Sequence, residues 1–483
     1  MSQPLSDFTL AGHTFIVSDI HVQDAEPPHP KNPLWKRFKR PKFFVDATFK
    51  KFLEFIQAEA ISGGPIELIL NGDILDFDSV MRIPEKPEFH ISWLERRRGL
   101  AAEEAKSRFK LKTVFEDHPV WVESLKQFVA AGHRIVFVIG NHDIELYWPS
   151  VQQDIHAALG DLDKKSVRFV EWFYISNKDT LVEHGNHYDV YSVCTNPVNP
   201  LIKVGKHSIV RLPFGNLAGR YMMNGMGLMN PQSDSTFIRE SLAEYMVFYY
   251  RYVMRTQPLI MWTWFWSALV TLAVTTTEGL HRALSDPLTI VDRVENMAER
   301  ANGAPRMVWA LRELHAHPAA FHPMQTLREL WLDRAILLGL VLFVSFQVFS
   351  FTNVFVRVSF WWFLIPLLLL LPVFIFYARS VRTDTKEIQK QGFLATPIAA
   401  KITGVKRVVH GHTHIAKHAP SEGIEYLNTG TWSPSFHDVE CTQPYGRKCF
   451  AWIKPGPDGG ERVAELYEWN GTGAELFPRT EGW

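Results

Sequence analysis

Five short segments, spread from Ser18 to His414, carry side chains of the kind that hold metal ions. They are Ser18-Asp19-Ile20-His21, Asn71-Gly72-Asp73-Ile74-Leu75-Asp76, Gly140-Asn141-His142-Asp143, Glu183-His184-Gly185 and Gly411-His412-Thr413-His414. Together they supply carboxylate, carboxamide and imidazole donors sufficient for two adjacent cations. The absence of thiolates suits manganese first, with iron, zinc or magnesium also compatible. A polarised water held beside such a pair is a nucleophile at neutral pH, so the chemistry expected is hydrolysis. One Asp-x-His after a strand is most often a turn. The joint occurrence of all five segments carries the argument.

Each segment follows an apolar, β-branched run: Thr14-Phe15-Ile16-Val17, Glu67-Leu68-Ile69-Leu70, Ile135-Val136-Phe137-Val138-Ile139, Thr180-Leu181-Val182 and Arg407-Val408-Val409. Such runs read as buried strands, and polar residues just past strand ends are where open α/β sheets place their sites.

In this order the blocks resemble the signature of the calcineurin-like metallophosphoesterase superfamily: Asp-x-His, Gly-Asp-x-x-Asp, Gly-Asn-His-Asp/Glu, a lone His near a Gly, and Gly-His-x-His. The resemblance covers residues 10 to 190 and 395 to 435. It implies an α/β (α+β) fold, a sandwich of two mixed β-sheets flanked by helices, and two divalent metal ions. Carried over by position, it implies that Asp73 bridges the ions. Asp19, His21 and His414 would complete one site, and Asn141, His184 and His412 the other. His142 would stay off the metals and act on the leaving oxygen or the phosphoryl charge. Asp76 and Asp143 read as acceptors that orient a ligand or an imidazole. The fourth block offers both His184 and His187; His184, directly after the strand and before the Gly, is preferred. In layout the chain is most similar to the UDP-2,3-diacylglucosamine pyrophosphatase group, which typically has Arg where His142 stands. The resemblance therefore implies a reaction class, hydrolysis of a phosphate ester or pyrophosphate, and leaves the substrate open.

The chain has 483 residues, and its 51 basic and 51 acidic side chains balance, so no global basic field argues for nucleic acid. Cys194, Cys441 and Cys449 form no framework of paired spacings, which fits a reducing compartment. The first residues lack the basic start and apolar core of a secretory signal, which predicts a cytosolic catalytic domain.

Three apolar runs interrupt the metal blocks. Pro258–Val274 includes Met261-Trp262-Thr263-Trp264-Phe265-Trp266, Ala335–Phe351 is uncharged, and Phe360–Ala378 contains Leu367 to Leu371. The third is long enough to cross a bilayer, and the first two are near the lower limit of about 17 residues. Ligands on both sides of this insert must meet, so the chain must cross an even number of times. Arg328, Arg334, Arg379 and Arg382 flank the second and third runs, whereas their connection, Thr352–Ser359, holds only Arg357. This asymmetry predicts a transmembrane hairpin over 335–378 with both ends cytosolic. If the first run also spanned, Arg282, Arg293, Arg300, Arg306 and Arg312 would sit outside, so it reads as interfacial or re-entrant.

The expected organisation is a catalytic domain over 10–257, with a cap at 77–120 and a lid-like 191–257, a membrane-associated insert over 258–380, and the end of the catalytic domain over 395–483. The partners expected are membrane lipids and a phosphoester substrate, lipid-linked or soluble. Lys31–Lys42, where Trp35 and Phe38 stand among six cations, is either a solvated basic loop or an amphipathic anchor on anionic lipid. Leu94-Glu95-Arg96-Arg97-Arg98 reads as a surface helix over the catalytic face. Asn224–Pro231, rich in Gly and Met, leads into a helical Phe237–Met254. Ile424–Trp432, Ala451–Ile453 and Arg462–Trp469 read as closing strands.

Overall fold

A computed structural model describes residues 10–60, 64–228, 230, 247–281, 289–365, 385–456 and 460–483. Its strands run in chain order β1 (Thr14–Val17), β2 (Glu67–Asn71), β3 (Arg134–Val138), β4 (Val167–Val170), β5 (Phe173–Ser176), β6 (Thr180–Glu183), β7 (Leu201–Val204), β8 (His207–Val210), β9 (Arg407–His410), β10 (Lys417–Ser421), β11 (Ile424–Asn428), β12 (Ser435–Phe436), β13 (Pro444–Tyr445), β14 (Cys449–Lys454), β15 (Val463–Trp469) and β16 (Ala474–Leu476). Among the described residues they build two main sheets, ordered β16-β15-β14-β1-β2-β3-β4 and β10-β11-β9-β6-β5. The expected two-sheet architecture with flanking helices is what the chain adopts.

The runs before the metal blocks are buried on both faces, as strands covered on two sides must be. Alternation then sorts their side chains. Ile16, Ile69, Val136 and Val138 meet Tyr174, Val182, Val409 and Leu427 in the layer between the sheets. Phe15, Leu68, Leu70, Ile135 and Phe137 point the other way, against Phe49, Phe52, Leu125, Phe128 and Ile155 of the outer helices. Parallel pairing of β1 with β2, β2 with β3, and β6 with β9 brings the strand ends that carry the five blocks to one edge of the sandwich.

The outer face of the second sheet is covered from an unexpected source. Helices Ile290–Arg300 and Pro305–Arg312 lie within the stretch read as a membrane-associated insert. Their Val294, Met297, Ala298, Val308 and Leu311 pack with Ile175, Leu181 and Val408, alongside Ala399 and Ala400 of helix Thr385–Thr403. The apolar spacing at 294, 297, 298 and 301 gives the first of these helices one dry face and leaves its charges outside.

Among the described residues two helices, Ile260–Leu280 and Leu332–Phe355, are long and apolar enough to cross a membrane. The first is a continuous helix with no proline inside it. Its small residues Ser267, Ala268 and Thr271 are buried, and Ala268 belongs to an apolar cluster with Phe214 of helix Phe214–Tyr221, Leu330 and Leu332. Trp262 and Trp266 remain exposed. The proposed hairpin at 335–378 is described only as far as residue 365, and its return run lies outside the described residues.

The 77–120 segment contains helices Trp93–Arg98 and Glu104–Asp117. Lys31–Lys42 is not a free anchor. It forms two short 3-10 turns with Lys36, Phe38 and Lys39 buried, because Phe38 packs with Phe436 and Cys441. All three cysteines are buried free thiols. Of Asn224–Pro231 the described part is folded, with Asn224, Gly225, Met226 and Leu228 buried, and most of the helical expectation over Phe237–Met254 lies outside the described residues.

Candidate metal centre

Every block turns sharply as it leaves its strand. Asp19, His21, Asp73, His412 and His414 all have left-handed backbone, with φ of 54°, 50°, 53°, 66° and 60°. This region costs a non-glycine residue energy and is kept where surrounding structure imposes it. Here backbone hydrogen bonds impose it: Asp19 N–H donates to Gly72 O at 3.1 Å and His21 N–H to Asp73 O at 2.9 Å. The block glycines allow close approach. A Cβ on Gly72 would lie 2.4 Å from the His184 ring, and one on Gly411 would lie 2.4 Å from Ser18 Oγ.

The turns bring the candidate ligands into contact. Asp19, His21 and His414 form one group, and Asp73, His184 and His412 another, each with donor atoms within 4.8 Å of one another. In the first, His414 Nε2 lies 3.2 Å from Asp19 Oδ1 and 3.2 Å from His21 Nε2. In the second, His184 Nε2 is 3.1 Å from Asp73 Oδ2. The same Asp73 oxygen is 3.9 Å from His21 Nε2, so one carboxylate faces both groups. Asn141 joins through orientation: its Nδ2 donates to Asn216 Oδ1 at 3.3 Å, leaving Oδ1 buried without a hydrogen bond.

The donor set fits divalent cations. Asp19 Oδ1, Asn141 Oδ1, His184 Nε2 and His412 Nδ1 are buried yet make no well-formed hydrogen bond in the protein. Tautomers are arranged accordingly. His184 Nδ1 lies 2.9 Å from the Asn71 carbonyl, so its proton sits there and the Nε2 lone pair turns to Asp73. Burial lowers the basicity of His21, keeping it in the neutral form that binds metal. For His184 burial acts the same way, but Asp73 and Asp19 outweigh it and lift the pKa to about 9. Bound cations would meet that same demand for positive charge.

His142 lies at the edge of this centre. Its backbone N–H donates to Asp73 Oδ1 at 2.8 Å, and its ring Nδ1 is 3.3 Å from Asp76 Oδ1. Burial alone would lower its pKa, yet Asp76, Asp73 and Asp78 raise it to about 10. Asp76 also stands 3.8 Å from His21 Nδ1, so one carboxylate orients two imidazoles. Asp143 accepts from Ile74 N–H at 2.9 Å and Gly140 N–H at 2.6 Å, clamping two blocks together.

His184 and His187 part company. His187 Nδ1 bonds Asn186 Oδ1 at 3.0 Å, and its ring packs 4.2 Å from that of His315 and beside Trp172, away from Asp73. Three contributors escaped the sequence reading. Asp189 Oδ2 holds His412 Nε2 at 3.0 Å, Asp78 Oδ2 lies 3.7 Å from His142, and Asn216 donates to both Asp78 Oδ2 at 2.6 Å and Asn141 O at 2.9 Å. Asp78 stands two positions after Asp76 and Asp189 four after Gly185, close to blocks that were read, whereas nothing near Asn216 marks it.

No curated protein matches the chain. The fifth block reaches the site through β9, far along the chain from the other four. Those four lie within residues 13–211, which match the family model described as calcineurin-like phosphoesterase.

Proposed function

We propose that the protein is a membrane-attached, two-metal phosphoesterase that hydrolyses a phosphate ester or pyrophosphate, lipid-linked or held close to the bilayer. The observation that carries the reading is the position of Asp73 between the two donor groups. In it, Asp19, His21 and His414 would hold one ion, Asn141, His184 and His412 the other, with Asp73 available to both. When bound, such ions clamp the phosphoryl oxygens and lower the pKa of a water. The chain's own residues do the rest. Asp76 fixes His142 through Nδ1, so Nε2 faces the substrate and delivers a proton to the leaving oxygen. A positioned acid of this kind contributes about 10²–10⁴-fold.

Membrane proximity is supported by helix Ile260–Leu280, which packs on helix Phe214–Tyr221, the element that carries Asn216 into the site. The metal centre is thus one helix removed from an apolar helix with exposed Trp262 and Trp266. A tethered enzyme acting on soluble esters shares every catalytic feature. Turnover by the full chain of a lipid-linked pyrophosphate in mixed micelles, set against a soluble diester, separates the two. Equal or better turnover of the soluble ester would replace the first reading with the second. Failure to bind divalent metal or to hydrolyse either would remove both and leave a non-catalytic scaffold on this fold.

A further inference from the structure

A charge beside His142 has no role in the reaction as described. Gln23, Lys36, Phe38, Asp78, His142 and Met223 line part of one recess. Two lysines border it, and only one is satisfied. Lys39 Nζ lies 2.5 Å from Asp24 Oδ1 and donates to Ser79 O at 2.7 Å. Lys36 is 4% exposed, and its ammonium forms no close ion pair among the described residues, Glu26 and Asp24 acting on it only from farther off. Burying a cation without a partner is costly, so such a group marks a place where an anion completes the site.

Lys36 is also held in position. Its backbone is left-handed, with φ 42°, and its N–H donates to Gly227 O at 2.6 Å. Gly227 is hydrogen-only at this point because a Cβ would lie 2.4 Å from the Trp35 ring. Asp78, the acid on the wall, is engaged by Asn216 and His142. Phe38 and Met223 make the surroundings apolar, which strengthens a charge pair formed there. Burial lowers the Lys36 pKa to about 8, which leaves the ammonium mostly charged at neutral pH.

We infer that this recess is a leaving-group subsite and that Lys36 is its specificity-determining residue, receiving a second anionic group, phosphate or carboxylate, carried by the departing part of the substrate. The inference rests on the phosphoesterase reading above. In the reaction a water oxygen bonds to phosphorus and gives up one proton to solvent, and the bond from phosphorus to the leaving oxygen breaks. The leaving oxygen takes its proton from His142, and the departing arm keeps its own charge against Lys36.

The test is calorimetric titration of the full chain in detergent with added Mn²⁺, using three non-hydrolysable probes. Methylphosphonate carries one anionic group; methylenediphosphonate adds a phosphonate and phosphonoacetate adds a carboxylate. The native protein should bind one or both two-anion probes more tightly than methylphosphonate, and which of them gains identifies the source of the anion. Lys36→Met should reduce that advantage by about tenfold or more, with Lys36→Gln doing the same and Lys36→Arg keeping it. Metal content and melting temperature serve as controls for folding. An advantage that survives both neutral variants, or weakening of all three probes alike, overturns the assignment. If the native protein takes up Mn²⁺ but binds no phosphonate, the phosphoesterase reading fails first, and the subsite falls with it.

Discussion

Asp189 Oδ2 lies 3.0 Å from Nε2 of His412, while Nδ1 of the same ring is buried with no hydrogen bond. The carboxylate thereby fixes the tautomer, with the proton on Nε2 and a lone pair on Nδ1 for a metal. Removing such an orienting group usually weakens metal affinity by about 10–100-fold. Asp189→Ala should do so at one of two sites, read by competition with a graded chelator. Unchanged affinity at both would show that His412 needs no support.

His184 and His187 should separate cleanly. His184→Ala removes a donor that touches Asp73 and should lose bound metal together with turnover. His187→Ala should keep its metal and lose about 1–3 kcal/mol of stability, because His187 packs on Trp172 and His315 in the interior. Elemental analysis with thermal melts decides this, and the reverse pattern would exchange their roles.

His142→Ala should retain both ions and lose about 10²–10⁴-fold in kcat. Loss of metal in this variant would instead make His142 a ligand, in the group it forms with His21 and Asp76.

Stability should depend on pH through Glu95. Burial alone would raise its pKa, but the Lys106 ammonium at 2.6 Å and the N–H groups of Ser92 and Ala101 outweigh burial and bring it to about 2. A depressed carboxylate pKa stabilises the fold above the unfolded value of 4.5, and that contribution fades as pH falls towards 2. Glu95→Gln should therefore cost about 2 kcal/mol near neutrality and progressively less in acid. Urea unfolding between about pH 6 and pH 3 measures it; a constant difference across that range would exclude the linkage.

Topology is open to cysteine labelling, since the three native thiols are buried. In sealed vesicles with the catalytic domain inside, a cysteine at 306 should be protected and one at 355 should react from outside. Both positions are exposed on the protein. External reaction at 306 would eliminate the hairpin.

The amino-acid sequence by itself determined the donor set and the strands that present it. Each block is local: an apolar run, a turn and two or three polar side chains within a few residues, so the signal survives without knowledge of the partners. The closing strands β11, β14 and β15 were legible for the same reason. Packing decided what depended on distant segments. Asn216 reaches Asn141 and Asp78 across 75 and 138 residues, and no spacing rule connects them. His184 and His187 stand three positions apart, and only the turn at Gly185 sends one to Asp73 and the other to His315. Helices Ile290–Arg300 and Pro305–Arg312 look like part of an insert until the second sheet supplies the surface that their apolar faces require. Lys36 reads as one cation in a basic loop until Phe38 is drawn into the interior and carries it beneath the surface. Local chemistry is written residue by residue, whereas burial and the direction of a side chain depend on which surfaces meet.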